Sequence, residues 1–241
     1  MVYMERSCSG ALAEFVDCEW SVRSNGDAMV VYPDGFADLL LDESGRLFLV
    51  GVDDKAKHWR ISPHAMLRGF RMKPGSLLHL FGIPASEIVN QSVPIEDVPS
   101  SLTEHLSSLA SHSDNQDEMV EAIRKLLSRK CAQAPRPNWL QYALSQIGRS
   151  SVRSVANSLN MTERHLYRLF VTEVGMGPAR FKRIIRLQRT LDAMRLAPAN
   201  VSMAEMAYEC GFSDQAHMYH EIREMTGKTP TELLRDIQTS F

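Results

Sequence analysis

Two groups of side chains in this 241-residue chain have the chemistry to read the edge of a nucleic-acid base. The first is Arg164, Tyr167 and Arg168; the second is Gln215, Ala216, Tyr219 and His220. A guanidinium fork matches the O6 and N7 acceptors of guanine, a carboxamide matches adenine, and each good bidentate pair discriminates by about 1–3 kcal/mol. On a helix, Arg164, Tyr167, Arg168 and Val171 share one side while Leu166, Leu169, Phe170 and Val174 share the other. The second group behaves alike: Phe212, Met218, Ile222 and Met225 point inward, and Gln215, Ala216, Tyr219, His220 and Arg223 point outward.

The elements that position these groups form an internal duplication. Ala156 matches Ala207, Asn160 matches Gly211 and Met161 matches Phe212 at an offset of 51. Beyond the turn the offset is 52: Leu166 with Met218, Tyr167 with Tyr219, Gly175 with Gly227, Pro178 with Pro230. Each copy is expected to run helix, tight turn, helix, Gly, then a helix opened by Pro. Asn160 and Gly211 stand where the turn needs a residue tolerant of positive φ. Thr229-Pro230-Thr231-Glu232 has the pattern of a capping box, as does Ser202 with Glu205, and Gly177-Pro178 opens a long helix to about Leu196.

Charge is distributed unevenly. Residues 149–189 hold 9 basic and 2 acidic side chains, whereas residues 190–241 hold 4 and 8. Residues 1–137 hold 14 basic and 19 acidic side chains, so the formal net charge of −2 conceals a basic segment that suits a polyanion. Arg149, Arg153, Arg180, Lys182, Arg183 and Arg186 are candidates for phosphate contacts that orient a protein without reading sequence.

The stretches S-V-R-S-V-A-N-S-L-N-M-T-E-R-H-L-Y-R-L-F (151–170), G-M-G-P-A-R-F (175–181), M-A-Y-E-C-G-F-S-D-Q-A-H-M-Y (206–219) and G-K-T-P (227–230) resemble the DNA-binding region of the AraC/XylS family of bacterial transcription regulators. The resemblance implies an all-α domain of two helix-turn-helix units joined by a long helix. It implies double-stranded DNA as partner, recognition helices in successive major grooves, contact with RNA polymerase, and activation more often than repression. Carried over by position, Arg164, Tyr167 and Arg168 would read one half of the site and Gln215, Ala216, Tyr219 and His220 the other. Two positions depart from the family: His220 stands where Arg is usual and Ile222 where Phe is usual. The second unit is also the acidic one, so the first is expected to supply most of the affinity.

The fold class expected is α+β: an N-terminal small β-barrel or sandwich with helices over residues 1–130, a linker at 131–138, and the double helix-turn-helix domain at 139–241. Strands are expected at Met29–Tyr32, Leu39–Leu41, Leu47–Val50, Met66–Met72 and Leu77–Phe81, separated by Gly/Pro turns. The helical stretch Gln116–Arg129 carries Met119, Ile123, Leu126 and Leu127 on one face, either packing back on the strands or pairing with a second copy in a homodimer. The stretches G-F-R-M-K-P-G (69–75), P-A-S-E-I (84–88) and V-P-I-E-D-V (93–98) resemble, more loosely, the N-terminal domain of some regulators of that family, where a small effector or a second protomer binds. Strand parity groups Met66, Arg68, Phe70 and Met72, making Arg68 either the candidate to grip an anionic effector or, more commonly for such a residue, a rim or ion-pair residue; Arg71 is expected to face solvent with Lys73.

Several classes are disfavoured. Apolar content of 44% and charged content of 23% describe a globular chain with a core. No apolar run approaches a membrane span, no apolar leader opens the chain, and Cys8, Cys18, Cys131 and Cys210 form no C-x-x-C pair, so a cytoplasmic protein is expected. His58, His64 and His79 lack the H-x-H spacing of a metal-dependent barrel enzyme, and the cysteines lack the zinc cluster of a repair methyltransferase carrying a similar module. No catalytic residue, metal or cofactor is implied. An interaction protein whose helix-turn-helix units no longer bind DNA remains the main alternative, disfavoured by the basic segment.

Overall fold

Alternating apolar residues build the N-terminal half as strands, several of them packed on both faces. The computed structural model describes residues 2–26, 28–112, 115–198 and 201–239. The strands are β1 (Val2–Ser7), β2 (Val16–Arg23), β3 (Ala28–Val31), β4 (Ala37–Leu41), β5 (Leu47–Val50), β6 (Lys57–Arg60), β7 (Met66–Met72) and β8 (Ser92–Pro94). Six form one antiparallel sheet in the order β1-β2-β7-β4-β5-β8, and β3 pairs with β6 in a separate ribbon. The sheet does not close on itself, so of the two expected architectures the sandwich is realised.

The period of two sorts the sheet's side chains between two cores. Leu39, Leu41, Leu47, Leu49, Phe70 and Met72 join the main core with helices α1 (Leu12–Phe15), α2 (Ser76–Phe81), α3 (Ser101–His112) and α4 (Gln116–Cys131). Val22, Leu40, Val50 and Leu67 form a smaller core under the ribbon, with Trp20, Met29, Phe48 and Trp59 packed against it.

Two expectations are decided here. Leu77–Phe81 is helical, not a strand: Gly75 (φ 92°) and Gly82 (φ 73°) bracket it, and Leu77, Leu80 and Phe81 at i, i+3, i+4 spacing are buried. The apolar stripe of α4 packs back within the chain, since Met119, Ile123, Leu126 and Leu127 are all buried in the main core.

The C-terminal half follows as α5 (Asn138–Ile147), α6 (Val152–Ser158), α7 (Glu163–Val174), α8 (Pro178–Leu196), α9 (Met203–Glu209), α10 (Gln215–Thr226) and α11 (Pro230–Thr239). Its core, built on Leu166, Phe170, Phe181, Leu187, Met218 and Ile222, is continuous with the main core of the N-terminal half. Polar bonds cross the same boundary. Gly75 N donates to Glu173 O at 3.0 Å, Ala56 N to Met225 O at 2.7 Å, and Gln188 Nε2 to Pro33 O at 2.5 Å. His79 Nε2 lies 3.0 Å from Glu173 Oε2, and Asp54 pairs with Arg180.

Candidate nucleic-acid interface

Each helix-turn-helix unit is shaped by its own caps. Asn160 (φ 53°) and Gly211 (φ 85°) both take the left-handed conformation that turns the first helix into the second. The same turn bond recurs in both copies: Met161 N to Ala156 O and Phe212 N to Ala207 O, each 2.9 Å. Thr162 caps α7 by accepting from His165 N at 3.1 Å, and Asp214 caps α10 by accepting from His217 N at 2.7 Å. That bond, with a second from Ser213, holds the Asp214 carboxyl below its usual range. Gly175 (φ 87°) and Gly227 (φ 74°) end α7 and α10. At Thr229 the capping box is reciprocal, whereas at Ser202 the side chain accepts from Glu205 N.

The caps leave the proposed readers outward. Arg164, Tyr167 and Arg168 are exposed on α7, with Tyr167 at 56%, while Leu166, Phe170 and Val174 are buried beneath them. Gln215, Ala216, Tyr219 and His220 are exposed on α10 above buried Met218 and Ile222. The ring of Tyr167 lies where a Cβ on Gly177 would sit, 2.3 Å from Cε2, so Gly177 allows that ring to lean on the start of α8. The two units are joined by the 19 residues of α8, a rod of roughly 28 Å.

The phosphate candidates separate into two sets. Arg149 is exposed, and Arg153 makes only a surface pair with Glu163 at 3.0 Å, a contact that exchanges readily. The other four have partners within the protein, Arg180 with its side chain still 51% exposed. Lys182 Nζ donates to Ser150 O at 2.9 Å, and Arg180 pairs with Asp54 of the N-terminal half. Arg183 reaches Glu221 at 3.2 Å and Glu224 at 2.5 Å. Arg186 donates through Nε (2.8 Å) and Nη2 (2.5 Å) to Glu221, donates to Gly211 O, and lies 4.8 Å over the Phe212 ring. Glu221 is 6% exposed at its side chain and Arg186 17%, so this ion pair joins α8 to α10. The bond to Arg183 holds the Glu224 carboxyl below its ordinary range. Two of the basic residues of 149–189, Arg183 and Arg186, are therefore paired with acids from the segment that follows it.

In the N-terminal half, Arg68 turns away from the space between sheet and ribbon and pairs with Asp117 of α4 at 2.5 Å. Arg71, expected to face solvent, instead lines a cavity of about 140 Å³ together with Trp20, Phe36, Asp38 and Trp59. Register explains the exchange: Leu67, Gly69 and Arg71 of β7 share the ribbon-side face, and Arg71 pairs across with Asp38 of β4. Asp38 accepts from Trp20 Nε1 at 2.6 Å, and burial pushes its carboxyl up to about 7. The lone acid in Ala37-Asp38-Leu39-Leu40-Leu41 was the available sequence signal for this residue. Pro33 and Asp34 also line the cavity, and the loop they belong to rests on α8: Pro33 O accepts from Gln188, and Gly35 abuts Phe181.

Residues 155–236 match a family described as a helix-turn-helix domain, and residues 5–94 match a domain of unknown function, DUF6597. Among solved structures, apo ToxT from Vibrio cholerae aligns over 95% of this chain and 99% of its own at 13% identity and a TM-score of 0.44. A transcriptional regulator described as containing an AraC-type DNA-binding domain, from Chromobacterium violaceum, aligns over 41% of this chain and 91% of its own at 24% identity and a TM-score of 0.37. A probable AraC family transcriptional regulator from Rhodopseudomonas palustris aligns over 42% and 98% at 21% identity and a TM-score of 0.38.

Proposed function

We propose that the protein, whose residues 155–236 match a helix-turn-helix domain family, is a sequence-specific DNA-binding regulator of transcription of the AraC type rather than an enzyme. The observation that carries this reading is the pair of capped helices α7 and α10, each exposing base-reading side chains over a buried apolar face and both built on one rigid helix. A spacer of roughly 28 Å approaches the 34–36 Å between successive major-groove faces of one duplex. Arg164, Tyr167 and Arg168 read one half-site; Gln215, Ala216, Tyr219 and His220 read the other. Arg149 and Arg153 engage phosphates.

The N-terminal half serves as the sensor. Its cavity holds a small effector, and the loop of Pro33 to Phe36 passes the occupied state to Gln188 and Phe181 of α8. A second protomer and RNA polymerase complete the set of partners, with activation as the sign of regulation and the cytoplasm as the compartment. No helix among the described residues is long and apolar enough to cross a membrane.

The test is selection of bound duplexes from a random pool with the full chain, followed by mobility shift of the selected sequence over a salt series. A recovered motif with two half-sites about one turn apart, and a falling log K with log salt, is the expected outcome. Failure to prefer any sequence over bulk competitor would leave the interaction-protein alternative.

A further inference from the structure

The cavity between sheet and ribbon carries a chemical bias that narrows what fills it. Three carboxyls face it, Asp34, Asp38 and Asp53, against one guanidinium, Arg71. The cation is already shared: Arg71 Nη1 donates to Glu5 at 2.9 Å, Nη2 to Tyr3 Oη at 3.1 Å, and Nε lies 3.8 Å from Asp34. Asp53 has Lys57 at 3.5 Å. Asp38 is different. Among the described residues no cation lies within ion-pair distance of it, Arg71 standing opposite on the neighbouring strand, and its side chain accepts from the indole N–H of Trp20.

Around these carboxyls stand the aromatic rings of Trp20, Phe36 and Trp59, with Tyr3 stacked on Trp20 and Arg71 5.9 Å over Phe36. An aromatic face attracts a cation and repels an anion, and the attraction strengthens when water is excluded. Trp59 already shows it with the chain's own ammonium: Lys57 Nζ lies 5.3 Å from the ring centroid. A volume of about 140 Å³ is close to that of an apolar cavity that takes benzene.

From Asp38, which has no ion-pair partner among the described residues, and the aromatic rings around it, we infer that the effector is a compact organic ammonium ion with an apolar body of about one ring, its charge set against the Asp38 carboxylate. The inference deepens the sensor role proposed above and rests on it. One group points the other way: Arg71 Nε is buried without a hydrogen-bond acceptor, a donor that a carboxylate ligand would satisfy.

The experiment compares benzylamine, benzyl alcohol and benzoate, one ring with a cationic, neutral and anionic head. Binding to the full chain is followed by calorimetry without DNA, in mildly alkaline buffer where benzylamine is still charged. Benzylamine is expected to bind at least ten-fold tighter than benzyl alcohol, with benzoate weakest. Asp38→Asn, which keeps an acceptor for Trp20, should bring benzylamine down to the level of benzyl alcohol. If that variant does not fold, Trp59→Leu should weaken benzylamine several-fold while changing benzyl alcohol less. Benzoate binding as tightly as benzylamine, no binding of benzylamine, or an amine preference that survives in a folded variant would overturn the inference. Because no DNA is present, amine binding without any duplex preference would count against the regulator and not against the cavity, and the converse result would do the reverse.

Discussion

Replacing Arg186 by alanine separates two roles that the sequence leaves equal. As a phosphate contact, Arg186 would contribute about 0.9 to the slope of log K against log salt and almost nothing to folding. The structure makes it a brace: a two-pronged bond to Glu221 at 2.8 and 2.5 Å, a bond to Gly211 O, and a guanidinium 4.8 Å over Phe212. Hydrogen bonds to charged groups contribute about 1.5–3 kcal/mol, and a cation–π contact contributes about 0.5–1 kcal/mol when exposed and about 2 when desolvated. Glu221 keeps Arg183 at 3.2 Å and His217 at 3.4 Å, so the buried carboxylate is not wholly abandoned. A loss of roughly 2–4 kcal/mol follows. For a chain of this size each kcal/mol lowers Tm by about 2–4 °C, giving a drop of roughly 5–15 °C. The assay is thermal unfolding of wild type and variant, beside mobility shift at four or more salt concentrations. The brace reading requires a lower Tm, an unchanged salt slope and weaker binding to the two-part site through a displaced α10. An unchanged Tm with a slope smaller by about one would refute it and return Arg186 to the DNA backbone.

Three further outcomes are expected. Arg168→Ala should lower specific affinity by about 1–3 kcal/mol and relax base choice at one position of the site, read by competition with single-base variants, and an unchanged preference would remove Arg168 from direct readout. Gly35→Ala places a Cβ 2.6 Å from Phe181 Cε2 at a φ of 84°, so Tm should fall by an amount reflecting about 1–3 kcal/mol; a variant as stable as wild type would mean that the loop does not bear on α8. Asp38 should make stability depend on pH in a definite sense. Burial raises its folded pKa from 3.8 to about 7, so the folded state holds the proton more tightly; stability from this group is greatest below the unfolded pKa and falls as pH rises through the folded one. A shift from 3.8 to about 7 corresponds to a pH-dependent swing on the order of 4 kcal/mol. Asp34, Asp53 and Arg71 face the same space, so Asp38→Asn is the control: relative to wild type it should gain stability between about pH 5 and pH 8, and parallel Tm curves would contradict the assignment.

Local chemistry made the C-terminal half legible in advance. A cap or turn acts within three or four residues, so Asn160, Gly211, Thr162, Gly175 and Pro178 declare helix ends wherever they occur. The sandwich was less legible because short apolar runs do not distinguish a strand from a buried helix, as Ser76–Phe81 illustrates.

By its residues alone the chain determined the duplicated units, their turns and the side chains they turn outward, since each depends on neighbours close along the backbone. Only the tertiary structure decided which charges remain available. Arg183 and Arg186 meet Glu221 and Glu224 across 35 to 41 residues, and Arg180 meets Asp54 from the other half of the chain. The same holds for the cavity, where strand register sets Arg71 against Asp38 and sends Arg68 to Asp117. Charge is a property of a residue; its compensation is a property of distance, and distance between remote segments exists only once the core has closed.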